Sequence, residues 1–170
     1  MKKVIRELIP YVIIIVAVIL IRSFIITPVI VSGDSMRPNL HDGEAILVRK
    51  IGYNSDKIKR FDIVIIDDGE DEIIKRIIGL PGEHISYKNN ELYVNGERVE
   101  ENFSFRDTED FNLEEICSCT TIAEGSYLVL GDNRPISKDS RSIGLIKEEN
   151  IKGKAIYRIW PLSEFGSIYD

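Results

Sequence analysis

Nineteen consecutive residues, Leu8 to Ile26, contain one charge, Arg22, and are otherwise mostly Ile and Val. That length is close to the ~20 residues a helix needs to cross a bilayer. Arg22 lies near the far end, where a long stem can carry its charge out to the headgroups. Lys2, Lys3 and Arg6 stand before the run against Glu7 alone. This basic flank predicts a cytoplasmic N-terminus and places everything after Thr27 on the other side. A cleavable secretory leader also starts basic and then turns apolar. Here the bulky Pro28-Val29-Ile30-Val31 follows, with no small-x-small site, and the run is longer than a usual leader core. We therefore expect a retained anchor over residues 1–27 and a separate domain over residues 28–170.

The remaining stretch of about 140 residues is long enough for one packed core. Its pattern is of short β-branched runs broken by turn residues. Strands are expected at Val29–Val31, Ala45–Val48, Asp62–Ile66, Glu72–Gly79, His84–Tyr87, Glu91–Val94, Glu97–Val99, Ser126–Leu130 and Ala155–Trp160. Asn95-Gly96 is a two-residue hairpin signal. Many short strands at regular spacing predict a mostly β barrel or sandwich. Glu100 to Thr120 is charged and weakly patterned, and reads as an exposed excursion. The net charge of -6 argues against a nucleic-acid partner. Cys117 and Cys119 are too sparse for a disulfide framework and lack the second pair of a structural zinc site, so they read as loop residues ahead of a vicinal redox pair or half a metal site.

Three places can carry chemistry. In Ser32-Gly33-Asp34-Ser35-Met36-Arg37-Pro38-Asn39-Leu40, small residues and Pro38 form a bend that can push Ser35 outward. Such a loop is either a nucleophile or a polar joint. A serine hydroxyl needs a base. The two histidines, His41 and His84, lie in turns with no orienting carboxylate pattern. Lys75 lies in Ile73-Ile74-Lys75-Arg76-Ile77-Ile78, where alternation puts it on one face with Ile73 and Ile77. A lysine held among isoleucines is desolvated, which lowers its pKa and frees the amine to act as a base. The other reading is an edge strand that carries charge against aggregation. After the strand Ser126–Leu130 comes Gly131-Asp132-Asn133-Arg134-Pro135-Ile136-Ser137-Lys138-Asp139-Ser140-Arg141, either a hydrogen-bonded loop lining a site or a solvated turn.

Taken together, the anchor, the serine stretch, Arg60-Phe61-Asp62-Ile63-Val64, Lys75-Arg76-Ile77-Ile78-Gly79-Leu80-Pro81-Gly82 and the Gly131 to Arg141 stretch resemble the type I signal peptidases of the bacterial Ser/Lys kind. The resemblance implies a signal-peptidase-like β-rich core with a small cap inserted at about residues 84–123. It implies that Ser35 is the nucleophile and Lys75 the general base, with no metal or cofactor. Ser137 would orient the Lys75 amine, and Asp139 and Arg141 would form a structural pair. Met36, Leu40 and Ile74 match positions lining shallow substrate pockets. The substrates implied are signal-peptide-bearing preproteins, cleaved after small residues at -1 and -3. The other partners implied are the bilayer and the secretion machinery, for a single-pass protein of the cell membrane. Three residues depart from the pattern. Gly33 stands where some members carry a serine whose hydroxyl serves the oxyanion hole, leaving more of that work to the Ser35 N–H. Phe61 replaces a glycine, and Pro135 replaces a common acidic residue.

A serine esterase of the Gly-Asp-Ser kind would need a later histidine, and none follows His84. A self-cleaving Ser/Lys repressor would need a DNA-binding region where the apolar run stands. A tethered scaffold domain would have no need of both reactive residues.

Overall fold

The computed structural model describes residues 7–16, 18, 26–50 and 57–169. Residues 7–16 are helical, and Leu8, Ile9, Tyr11 to Val16 and Val18 are all about half exposed. Of the rest of the expected span, residues 17 and 19–25, Arg22 among them, lie outside the described residues, while Ile26 and Thr27 are already strand, opposite Arg49 and Val48. Among the described residues no helix is long and apolar enough to cross a membrane.

Twelve strands follow among the described residues: β1 (Ile26–Ile30), β2 (Ala45–Arg49), β3 (Ile63–Asp67), β4 (Glu72–Gly79), β5 (Ile85–Lys88), β6 (Glu91–Val94), β7 (Glu97–Val99), β8 (Phe111–Asn112), β9 (Ser126–Leu130), β10 (Ile146–Lys147), β11 (Ile151–Trp160) and β12 (Gly166–Ser167). The larger sheet runs β1-β2-β11-β3-β4-β9-β10, with β12 on β11, and the smaller runs β7-β6-β5-β8. All pairings are antiparallel. The fold is mostly β, as the short β-branched runs between turn residues predict.

Strand β3 shows why. Ile63 and Ile65 enter one cluster with Val31, Met36, Leu40, Ile46, Val48 and Ala155. Val64 and Ile66 enter another, with Ile77, Tyr127, Val129 and Ile146. A strand covered on both faces reads as an unbroken apolar run, and this one does. A third cluster joins the sheets: Ile78, Leu128 and Leu130 of the larger meet Ile85, Tyr87 and Leu92 of the smaller, together with Leu113 and Ile122.

The Glu100 to Thr120 stretch departs from expectation. It contains β8 and a one-turn helix, Leu113–Cys117, capped by Asn112, whose side chain accepts from the Glu115 N–H. Leu113 is fully buried and Thr108 nearly so, and Phe103 stacks edge-on to Phe61 at 5.3 Å between centroids. Few apolar anchors, irregularly spaced, hold this segment, so no period marks it. Cys117 and Cys119 are also not simple loop residues: they form a disulfide, with Cα atoms 5.2 Å apart.

Candidate active site

The serine loop is held by its own backbone and by the Gly131 to Arg134 turn. Arg37 N–H donates to Asp34 O, and Asn39 and Leu40 N–H both donate to Met36 O. Asn133 N–H donates to Ser35 O at 2.9 Å, and the Asn133 amide donates to Asp34 O at 3.1 Å. Gly33 holds φ +81°, a conformation that suits glycine. Its N–H donates to Asp42 Oδ1 at 2.8 Å, so that donor is engaged. The Ser35 N–H makes no hydrogen bond among the described residues.

Lys75 comes to this loop from β4. Its Nζ lies 2.9 Å from Ser35 Oγ and donates to Ile74 O at 2.8 Å. The side chain is 3% exposed. Burial lowers its pKa to about 8, partly opposed by the carboxylates of Asp139, Asp68 and Asp132; the Lys138 cation adds to the lowering. The amine thus reaches its neutral form close to neutral pH, within hydrogen-bond reach of a hydroxyl. Both histidines are committed elsewhere: His41 to Glu44 and His84 to Glu114, each at 3.2 Å.

Strand order creates the space beside this pair. From β1 through β2, β11 and β3 to β4 there are four antiparallel steps, so β1 and β4 run in the same direction. β9 pairs with β4 from Arg76 onward. Among the described residues, Glu72–Lys75 therefore keeps one unpaired edge. A groove of about 430 Å³ lies between that edge and β1, lined by Val29, Ile30, Ser32, Ser35, Ile65 and Asp71 through Lys75.

The other expected residues fall as follows. Ile74 lines the groove and packs on the cluster beneath it. Met36 and Leu40 do not line it: they are 1% and 0% exposed, turned inward by the bend onto Val31, Ile46 and Ile63. Asp139 and Arg141 pair bidentately at 2.8 and 2.9 Å. Asp139 also caps the helix Ser140–Ile143 and accepts from the Gly131 N–H at 3.0 Å. Ser137 Oγ is buried and has no hydrogen-bond partner among the described residues, so it makes no bond to Lys75 in this conformation.

Residues not singled out from the sequence complete the site. Asp132, fully buried, takes Arg76 Nε and Nη2 at 2.8 and 2.6 Å and the Asn39 amide at 2.7 Å. One carboxylate therefore ties the serine loop to the residue beside Lys75. Arg134, equally buried, donates to Gly131 O, Thr108 Oγ1 and Glu101 Oε1, joining this turn to the segment between β7 and β8. Gly131 is required by close approach: a Cβ there would stand 2.5 Å from Ser35 O and collide with Ser137. The density of polar residues in Gly131 to Arg134 marked a hydrogen-bonded loop, but nothing local named its partners, which lie 56 and 93 residues away.

A mostly β fold carrying a serine hydroxyl against a buried lysine amine, at the end of an open strand-lined groove, is equipped for peptide-bond hydrolysis without histidine. Comparison with known proteins gives the family. Residues 4–160 match the family model described as signal peptidase, peptidase S26. A signal peptidase IB of Staphylococcus aureus is 39% identical, the match covering 96% of this chain and 93% of the relative. A signal peptidase I of Bacillus caldolyticus is 39% identical, covering 92% of this chain and 91% of the relative. The crystal structure of a signal peptidase I from Enterococcus faecalis is 40% identical, with TM-score 0.53, covering 58% of this chain and 96% of that one. The chain belongs to the signal peptidase family and is a serine endopeptidase of signal-peptide removal.

Proposed function

We propose that Ser35 is the nucleophile and Lys75 the general base of this reaction. The observation that carries the reading is the 2.9 Å approach of Nζ to Oγ by a lysine whose burial holds its pKa near 8. The substrate lies in the groove as an added strand, bonded through main chain to β1 and to the open edge of β4. Because β1 and β4 are parallel, it has the same direction relative to both. Alternate side chains then face one wall. This gives a physical basis for selection of small residues at -1 and -3 against Ile74 and its neighbours.

Ser35 Oγ attacks the scissile carbonyl as Nζ takes its proton. The Ser35 N–H, which has no partner among the described residues, donates to the developing oxyanion. The ammonium returns its proton to the leaving amine. Water, deprotonated by the same amine, releases the acyl group. A rotation of Ser137 would give Nζ a hydroxyl partner and fix its direction. The Asp139–Arg141 pair braces the wall behind it, and no step needs a metal or cofactor.

In this reading residues 1–27 anchor the chain in the cell membrane with the N-terminus cytoplasmic. The exposed apolar side chains of residues 8–16, and the apolar sequence continuing to Ile26, support it. Residues 28–170 form the extracytoplasmic peptidase, and the smaller sheet is its cap. The partners are signal-peptide-bearing preproteins, the bilayer and the secretion machinery. The test is cleavage of a preprotein by the detergent-solubilised full chain and by its Ser35→Ala and Lys75→Ala forms. The wild type yields the mature length and neither variant does; processing by Lys75→Ala would remove the mechanism.

A further inference from the structure

The disulfide between Cys117 and Cys119 takes no part in the chemistry above, and it is poorly placed to act as a staple. It encloses one residue, Ser118, so it constrains the unfolded chain far less than a long loop would. The packing on either side stands without it: Leu113 and Ile122 are buried in the cluster shared by the two sheets. Ile122 is further held by main chain, donating to Glu83 O and accepting from the Gly82 N–H. Ser118 sits at φ +52° as the left-handed cap of the helix Leu113–Cys117, its N–H donating to Glu114 O at 3.0 Å, so helix termination sets its backbone. Ser118 is exposed, and both cysteines are partly buried where they pack against that cluster. An opened pair finds partners already in place: Cys117 Sγ lies 3.3 Å from Leu113 O, one helical turn back, where a thiol can donate.

We propose that Cys117–Cys119 is a thiol-exchange site whose substrate is a dithiol, and not a structural cross-link. One thiolate of the dithiol attacks a sulfur of the pair, forming a mixed disulfide and releasing the other cysteine, which takes up a proton. The second thiol of the dithiol, losing its proton, attacks the mixed bond. The dithiol leaves as its disulfide, and Cys117 and Cys119 are left as two thiols. Two electrons and two protons pass from the dithiol to the pair.

The experiment equilibrates the detergent-solubilised full chain in dithiothreitol buffers of varied reduced-to-oxidised ratio. Thiols are then trapped by alkylation and counted by intact mass. Half-reduction is expected at a ratio at least about a hundredfold lower than that for a buried disulfide in a folded control protein. The far-ultraviolet spectrum should be retained in the reduced protein. Two free thiols in protein isolated without reductant would overturn the proposal. So would a midpoint within about tenfold of the control's, or reduction only under conditions that unfold the chain.

Discussion

Lys75 and Arg76 are neighbours on β4, both 3% exposed, and they meet opposite fates. Arg76 points to the side of Asp132 and takes a bidentate carboxylate, a carbonyl of Phe61, and the face of Phe103 at 3.8 Å. Lys75 points to the groove and meets a hydroxyl and one carbonyl. Its carboxylate neighbours, Asp139 first, act from a distance, and Asp139 is already neutralised by Arg141. An arginine cannot give up its proton, so burial forces a partner on it. A lysine can, so burial without a contacting carboxylate makes it a base. What separates the structural cation from the proposed base is the placing of one carboxylate, not the depth of burial.

The sharpest break in that comparison is to exchange the two chemistries. Lys75→Arg keeps the charge and loses the base, and Lys75→Ala loses both. Each should lower kcat/KM for a preprotein by at least about a thousandfold. Cleavage assays under saturating and limiting substrate would show it, and an active Lys75→Arg would contradict it. On the other face the loss should appear in stability. Asp132→Asn leaves Arg76 buried without its counter-charge and should cost about 3–5 kcal/mol in denaturant unfolding. The double variant Arg76→Met, Asp132→Leu should recover part of that loss, and equal losses in the single and double variants would show that the pair is not what matters.

Lys75 should itself be a burden on the fold. Its pKa falls from about 10.5 unfolded to about 8 folded, so between these values the unfolded chain binds more protons and stability rises with pH. Below pH 8 the cost is fully present, about 3 kcal/mol at most. Lys75→Met should therefore stabilise the inactive protein at pH 7. The gain should shrink between pH 8 and 10.5 and vanish above it, as denaturant melts across that range would show. A smaller effect is expected at Gly131→Ala. Its Cβ would push on Ser35 O and Ser137, shifting the nucleophile and lowering kcat by about a hundredfold with little change in KM.

The strands were legible because short β-branched runs and the turn residues that bound them are local signals. β4 falls at Glu72–Gly79, and the Asn95-Gly96 hairpin has both residues at positive φ. Ser35 and Lys75 were legible as candidates because each stands out chemically against its neighbours. The Asp132 link was not, since it joins residues far apart in sequence. Met36 and Leu40 are placed by the resemblance alone, and their burial under the serine bend follows from no local pattern. Phe61 illustrates the same limit. It holds φ +71° where glycine is the simpler choice. It keeps that conformation because its N–H donates to Ile77 O and its ring meets Phe103. Tertiary contacts offset a local cost that no local pattern announces.

The most direct test is the pH dependence of kcat/KM for preprotein cleavage by the wild-type chain. With Lys75 as the base, activity should rise tenfold per pH unit on the acid side and level off near pH 8, where the free amine becomes the main form. A limb that levels near 6.5, as for a histidine, or keeps climbing past 10, as for an exposed lysine, would contradict the account.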